Sequence, residues 1–182
     1  MTTETNWILE QLDDVVNSVG QDYSTRDGDP VEVIRINRNE SVVFETDETI
    51  DMTDALHQRK EDLQRGVFIG AQLADRDADA DGVKGDPDRI ESVIGLRIEG
   101  LTHREWGHVD PAGENGVPFD VLTRRVRRVL RESLSYPDTN TPHTTYHDLI
   151  FTNESPLSWQ YRDYYRYDVD AALRGRETLP DQ

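Results

Sequence analysis

The sequence contains no cysteine and almost no lysine. The absence of cysteine excludes disulfide bonds and cysteine-based zinc sites. Only Lys60 and Lys84 are lysines, so arginine supplies the other 18 of the 20 basic residues. No stretch approaches the roughly 18 consecutive apolar residues of a membrane-spanning helix. Residues 1–7 also lack the positive and apolar regions of a secretory signal, so we expect a cytoplasmic protein with no membrane partner.

Acidic residues outnumber basic ones by 37 to 20, which gives a formal net charge of -17. This excess, together with the preference for arginine over lysine, is typical of cytoplasmic proteins of extreme halophiles. At about 1 M salt, charges are screened within about 3 Å, so self-repulsion is weak. The negative field opposes nucleic acids, and four phosphate contacts would lose about five decades of affinity between about 0.1 and 3 M salt. We therefore expect no sequence-specific nucleic acid partner.

The order of hydrophobic patterns predicts one α+β domain over residues 1–182, with helices packed on one face of a mainly antiparallel sheet. The predicted helices are an N-terminal helix at 1–20, a charged segment at 53–64 and an arginine-rich helix at 118–134. The predicted strands are 31–36, 41–45, 66–73, 90–100, 147–153 and 161–173, the first two forming a hairpin. An acidic loop at 74–89 and a C-terminal tail at 174–182 complete the chain.

The acidic loop contains a candidate calcium site. Asp77, Asp79 and Asp81 are followed by Gly82, which matches the first ligands and the sharp turn of a calcium-binding loop. Position 12 of that loop is Asp88, a shorter carboxylate than the glutamate that usually completes the site. A hydrated hairpin tip in an aspartate-rich chain is the alternative interpretation.

The predicted helix at 118–134 carries four arginines within about a quarter turn, opposite its apolar side. They are Arg124, Arg127, Arg128 and Arg131. Asp120 lies four residues before Arg124, and i,i+4 ion pairs of this kind can neutralise part of the face. Glu132 stands in the same relation to Arg128. Arginine–carboxylate pairs also form between copies of an acidic protein, so we interpret these arginines as subunit-interface candidates, with a solvated helix face as the alternative.

Sequence motifs of common enzyme classes are absent. The chain has no Gly-x-Ser-x-Gly elbow, no phosphate-binding glycine loop, no Gly-x-Gly-x-x-Gly and no His-Glu-x-x-His. Paired carboxylates carry no information here, because 37 acidic residues make such pairs inevitable. We predict no catalytic residue and no cofactor.

Four segments carry a likeness to a known protein family. They are ESVIGLRIEG at 91–100, the loop at 107–118, the helix FDVLTRRVRRVL at 119–130 and the strand DYYRYDVDAALRG at 163–175. In this order, after an N-terminal helix, they resemble tail terminator and neck proteins of tailed viruses. The likeness extends over residues 7–179 and is most specific at 93–134 and 163–175, with the acidic loop as an insertion.

The resemblance implies a structural virion protein, not an enzyme. Such a protein forms a hexameric ring that caps the tail tube and contacts the head–tail connector, in the virion and, during assembly, in the host cytoplasm. With the halophile-like composition, the expected source is a tailed virus or provirus of a halophilic archaeon. A head–tail adaptor, a tail tube subunit, and a calcium-binding or enzymatic cytoplasmic domain of a halophile remain alternatives.

Overall fold

A computed structural model of the chain describes residues 3–50, 60–79, 88–102, 107–133, 135–137, 144–156 and 163–178. The helices are α1 (Glu4–Gln11), α2 (Asp13–Asp22), α3 (Lys60–Leu63) and α4 (Phe119–Glu132). The strands are β1 (Val33–Asn37), β2 (Val42–Val43), β3 (Val67–Asp79), β4 (Asp88–Leu101), β5 (Thr144–Pro156) and β6 (Tyr164–Glu177). None of the described helices is long and apolar enough to cross a membrane.

The described strands form one six-stranded sheet in the order β2-β1-β3-β4-β6-β5. β1 and β3 are parallel, and the other neighbouring strands are antiparallel. The pairing of β1 with β2 confirms the predicted hairpin. The α+β class with a mainly antiparallel sheet is confirmed as well.

Alternating residues of the long strands give the sheet two different faces. In β4, Ile94, Leu96 and Ile98 are buried against α1, α2 and α4, and we call this side the helix face. α4 contributes its apolar side to the same core through Phe119, Leu122, Val126 and Leu130, as its spacing predicts. The opposite side, which carries Arg97 and Glu99 of β4, is the open face.

A short helix lies on the open face, which the prediction of helices on a single face did not include. Leu63 of α3 packs on Ile36, Phe68 and Leu101, which project from the strands away from the helix face. Burial of Leu63 contributes about 2 kcal/mol to the attachment of α3 to the sheet. α3 therefore covers one end of the open face.

The predicted N-terminal helix at 1–20 is two helices with a break at Leu12. Leu12 has φ -86° and ψ 3°, and its N–H donates to Leu9 O instead of continuing the α-helical pattern. α2 then begins at Asp13 and ends at Asp22, beyond the predicted end. Leu12 is buried in the core together with Ile8 before the break and Val15 after it.

Two predicted loops are partly strand. β3 continues through Asp79 and β4 begins at Asp88, so residues 75–79 and 88–89 of the predicted acidic loop are paired, and 80–87 lie outside the described residues. The register shifts between Leu73 and Asp75, so Ala74 has no cross-strand partner in β4. Pairing of Asp79 with Arg89 across the strands, and of Asp77 with Glu91, extends the hairpin. The predicted tail at 174–182 is likewise strand up to Glu177, because β6 pairs on both sides, with β4 and β5. The prediction treated acidic and charged runs as loops and could not see these cross-strand partners.

Candidate interaction surfaces

Two of the four predicted interface arginines are exposed and form ion pairs within α4. Arg124 pairs with Asp120, and Arg128 Nε lies 2.9 Å from Glu132 Oε1. These are the i,i+4 pairs that the sequence predicts. Both arginine side chains are 75% exposed, so each pair contributes little to the free energy of unfolding. A neighbouring molecule can therefore reach Arg124 and Arg128.

The other two arginines of the predicted set attach α4 to the edge strand β5. Arg127 Nη2 lies 2.7 Å from Glu154 Oε1, and its guanidinium lies over the ring of Phe151 at 5.6 Å from the ring centroid. Arg131 lies over the same ring at 5.6 Å. Both guanidinium groups thus pack on Phe151 within the subunit.

Three of the four calcium candidates lie on strands. Asp77 and Asp79 belong to β3. Asp88 opens β4 opposite Glu177, not opposite the β3 aspartates. Asp81 lies outside the described residues. Among the residues that the structure describes, no group of three or more histidines and carboxylates is arranged to hold a metal ion.

The open face carries an ion-pair network centred on Asp168. Asp168 of β6 accepts hydrogen bonds from Arg97 at 2.9 and 3.1 Å and from Arg166 Nε at 3.0 Å. Burial alone would raise the pKa of Asp168, but the hydrogen bonds from Arg166 and Arg97 outweigh it and hold the pKa below its ordinary value. The carboxylate is therefore ionised over the whole physiological range, and the network keeps its charges.

A buried carboxylate lies beside this network. Glu99 is 1% exposed and accepts a hydrogen bond from the Tyr164 hydroxyl. Burial, and then the charge of Glu99, raise the pKa of Tyr164. Arg38, at the end of β1, faces the same region, so three guanidinium groups and two carboxylates share this part of the open face. We call Arg38, Arg97, Glu99, Arg166 and Asp168 the open-face cluster.

The alternation of polar and apolar residues in the sequence indicates part of the open-face cluster. The alternation of β6 places Arg166 and Asp168 on the polar face of a strand, and sequence analysis can read that pattern directly. In β4, Arg97 and Glu99 alternate with apolar residues in the same way. No sequence pattern indicates that Arg38 joins this cluster, because its position depends on the parallel pairing of β1 with β3.

A second polar network is buried on the helix face and fixes the start of α1. Glu4 is 6% exposed, forms an ion pair with Arg76 and accepts a hydrogen bond from Tyr146 OH at 2.7 Å. Tyr146 OH also lies 2.8 Å from Ser92 Oγ. Burial raises the pKa of Tyr146 to about 12, the Ser92 hydrogen bond opposes that rise, and Glu4 adds to it. The network joins α1, β3, β4 and β5.

An open cleft of about 510 Å³ has His108 in its wall. His108 is 8% exposed, and its Nε2 lies 3.0 Å from Gln64 O. A carbonyl oxygen only accepts, so in the neutral ring Nε2 carries the proton. Burial lowers the pKa of His108, which keeps the ring neutral near pH 7. The ring therefore holds the loop after β4 against the residues that precede β3.

Comparison with models of known protein families finds no match for this chain, and comparison with curated proteins finds none either.

Proposed function

We propose that this protein is a ring-forming tail terminator of a tailed virus, which caps the tail tube at the head–tail junction and joins it to the connector. The observation that carries the proposal is the position of the two segments with the most specific likeness, 93–134 and 163–175. They contain most of β4, all of α4 and most of β6. β4 and β6 pair along their whole lengths, so the likeness falls on the centre of the sheet and on a helix that covers it.

The distribution of charge on two sides of the molecule supports assembly with copies of itself. The helix layer presents Arg124 and Arg128 to the solvent, and the open face carries the half-buried Arg38 beside the ion pairs of Arg97 and Arg166 with Asp168. A ring needs two different contact surfaces on one subunit, because each copy contacts the next in a head-to-tail manner. The function of such a ring is geometric: it ends a tube and presents a platform, with no cofactor.

The test is the particle mass of the purified protein in molar KCl, by light scattering, with negative-stain images of the large species. We expect rings of six copies. Extended tubes would assign the protein to the tail tube instead. A monomer or dimer at every concentration would contradict the ring proposal.

A second test concerns α4. Reversing both exposed charges, with Arg124→Glu and Arg128→Glu, is expected to reduce ring formation while the thermal unfolding of the subunit stays within a few degrees. The control is Arg26→Glu, because Arg26 is also exposed but lies outside α4, in the turn that follows α2. Rings of the double variant at wild-type concentrations would remove α4 from the proposed contact.

A further inference from the structure

Arg38 is held across the open face by the glycine beside it. Its backbone N–H donates to Ala71 O at 2.9 Å, which places the residue at the end of the β1–β3 pairing. The side chain crosses Gly70, where a Cβ would lie 2.6 Å from Arg38 Cδ. A side chain at position 70 would therefore displace the Arg38 side chain from its place on the sheet.

The guanidinium of Arg38 is half-buried, and no described residue gives it a hydrogen bond or an ion pair within contact distance. The neighbouring Arg97 and Arg166 differ from Arg38 because both form ion pairs with Asp168. Burial lowers the pKa of Arg38, and the charge of Glu99 opposes this only in part. Partly desolvated guanidinium groups are normally paired, because an unpaired charge loses hydration without compensation. Arg38 therefore has the properties of a group that binds an anion from another molecule.

A carboxylate on a second copy is the anion that this chain itself supplies. Guanidinium and carboxylate match in geometry and form two parallel hydrogen bonds. With a net charge of -17, another copy of the chain presents mainly carboxylates. Arg38 is a positively charged exception on that surface, so charge complementarity favours contact between Arg38 and an acidic region of the next copy.

The junction of α1 and α2 is an acidic region on the opposite side of the molecule. Glu10 and Asp14 are exposed there, and within the described part of the chain neither forms an ion pair. Asp13 between them is already paired with Arg35. Because the whole sheet separates this junction from the open face, Arg38 cannot reach Glu10 or Asp14 of its own chain.

We propose that Arg38 on the open face of one copy pairs with Glu10 and Asp14 at the α1–α2 junction of the next copy. This inference rests on the proposed function, in which copies assemble into a ring. The two surfaces are different and lie on opposite sides of the subunit, so the contact is head-to-tail and repeats around the ring until it closes.

The test uses two charge-reversal variants that complement each other. The first is Arg38→Glu, and the second is the double variant Glu10→Arg with Asp14→Arg. Each alone is expected to raise the concentration needed for ring formation at least about tenfold. An equimolar mixture is expected to restore rings, because one interface then keeps the natural pair and the next holds the reversed pair. The charge-matched control is Arg65→Glu, since Arg65 is 51% exposed and paired with Glu48 outside the proposed contact.

Light scattering in molar KCl measures assembly, and thermal unfolding by circular dichroism shows that each variant is folded. If Arg38→Glu is unfolded, Arg38→Gln replaces it, and a weaker loss of assembly is expected. Rings of Arg38→Glu at wild-type concentrations would overturn this inference and leave the ring proposal standing. Failure of the mixture to restore rings would overturn the Arg38 pairing alone. A wild-type protein that stays monomeric would refute the ring proposal, and this contact with it.

Discussion

Replacing Tyr146 by phenylalanine removes one hydroxyl from the network that fixes α1 to the sheet. That hydroxyl donates to Glu4 at 2.7 Å and contacts Ser92 at 2.8 Å. Tyr146 is 4% and Glu4 6% exposed, so water does not replace the lost bonds. A hydrogen bond to a charged group contributes about 1.5–3 kcal/mol and a neutral one about 1 kcal/mol, partly offset because the hydroxyl itself is no longer desolvated. We expect a net loss of about 2 kcal/mol, or a Tm lower by about 4–8 °C.

The difference in the free energy of unfolding between wild type and Tyr146→Phe depends on pH, and its sign follows from the pKa of Tyr146. Burial raises the pKa of Tyr146 from 10.0 in the unfolded chain to about 12 in the folded protein. The folded state therefore holds the Tyr146 proton more tightly than the unfolded chain does. The resulting contribution to the free energy of unfolding is complete below pH 10 and is lost as the pH rises towards 12. The loss in the wild type is about 3 kcal/mol, whereas phenylalanine does not titrate. The wild type is thus more stable at pH 8, and its advantage disappears by about pH 12.

The assay is urea unfolding at a series of pH values from 8 to about 12, followed by tryptophan fluorescence in constant KCl. The other tyrosines titrate in both proteins, so the difference between wild type and variant isolates Tyr146. The control is Tyr136→Phe, because the described contact of Tyr136 is ring stacking on Trp7, with 6.1 Å between the ring centroids. Equal stability of Tyr146→Phe and wild type at pH 8, or a difference that stays constant up to pH 12, would refute the reasoning.

Three further predictions concern stability. Arg127→Ala is expected to lower the free energy of unfolding, measured in urea, by about 1–2 kcal/mol, because Arg127 joins α4 to β5. Arg124→Ala is expected to lower it by less than about 0.5 kcal/mol, because Arg124 pairs with Asp120 within α4. Equal effects of the two variants would contradict this difference. Gly175→Ala would place a Cβ against the backbone of β5 and is expected to lower the free energy of unfolding by about 2–4 kcal/mol. The control Gly95→Ala has room for a Cβ and should melt within a few degrees of wild type. A neutral effect of Gly175→Ala would show that the strands can separate. The pKa of His108 lies below its unfolded value of 6.5, so the contribution of His108 to the free energy of unfolding is present above pH 6.5 and lost as the pH falls. Wild type should therefore lose more stability than His108→Gln between pH 7.5 and 5.5. Parallel pH profiles of the two proteins would disprove this prediction.

The arginine-rich helix shows how far sequence reasoning reaches in this protein. The apolar spacing of α4 predicts its buried side, and the i,i+4 rule predicts the pairs that Arg124 and Arg128 form. The contacts of Arg127 and Arg131 with Phe151 were not predictable, because β5 lies about twenty residues further along the chain. A helix pattern defines which residues share a side, but not which strand that side meets.

The acidic hairpin shows where sequence reasoning falls short. Its composition predicts a loop over residues 74–89, because composition outweighs the weak alternation of charged residues. In the structure, residues 75–79 are strand, held by register with β4 and by the inward-facing Arg76. Cross-strand neighbours decide whether a charged run is a strand, and those neighbours are remote in sequence.

The sequence by itself determined the acidic charge, the absence of disulfides, the main strands, the two amphipathic regions and the α+β class, because these depend on composition and on short periodic patterns. The tertiary structure alone decided the strand order, the break at Leu12, the buried contacts of Glu4 and the position of Arg38 over Gly70. Each of these requires segments distant in the chain to meet in a defined register. Periodicity fixes the face on which a side chain lies, whereas its partner is fixed only when the sheet has formed.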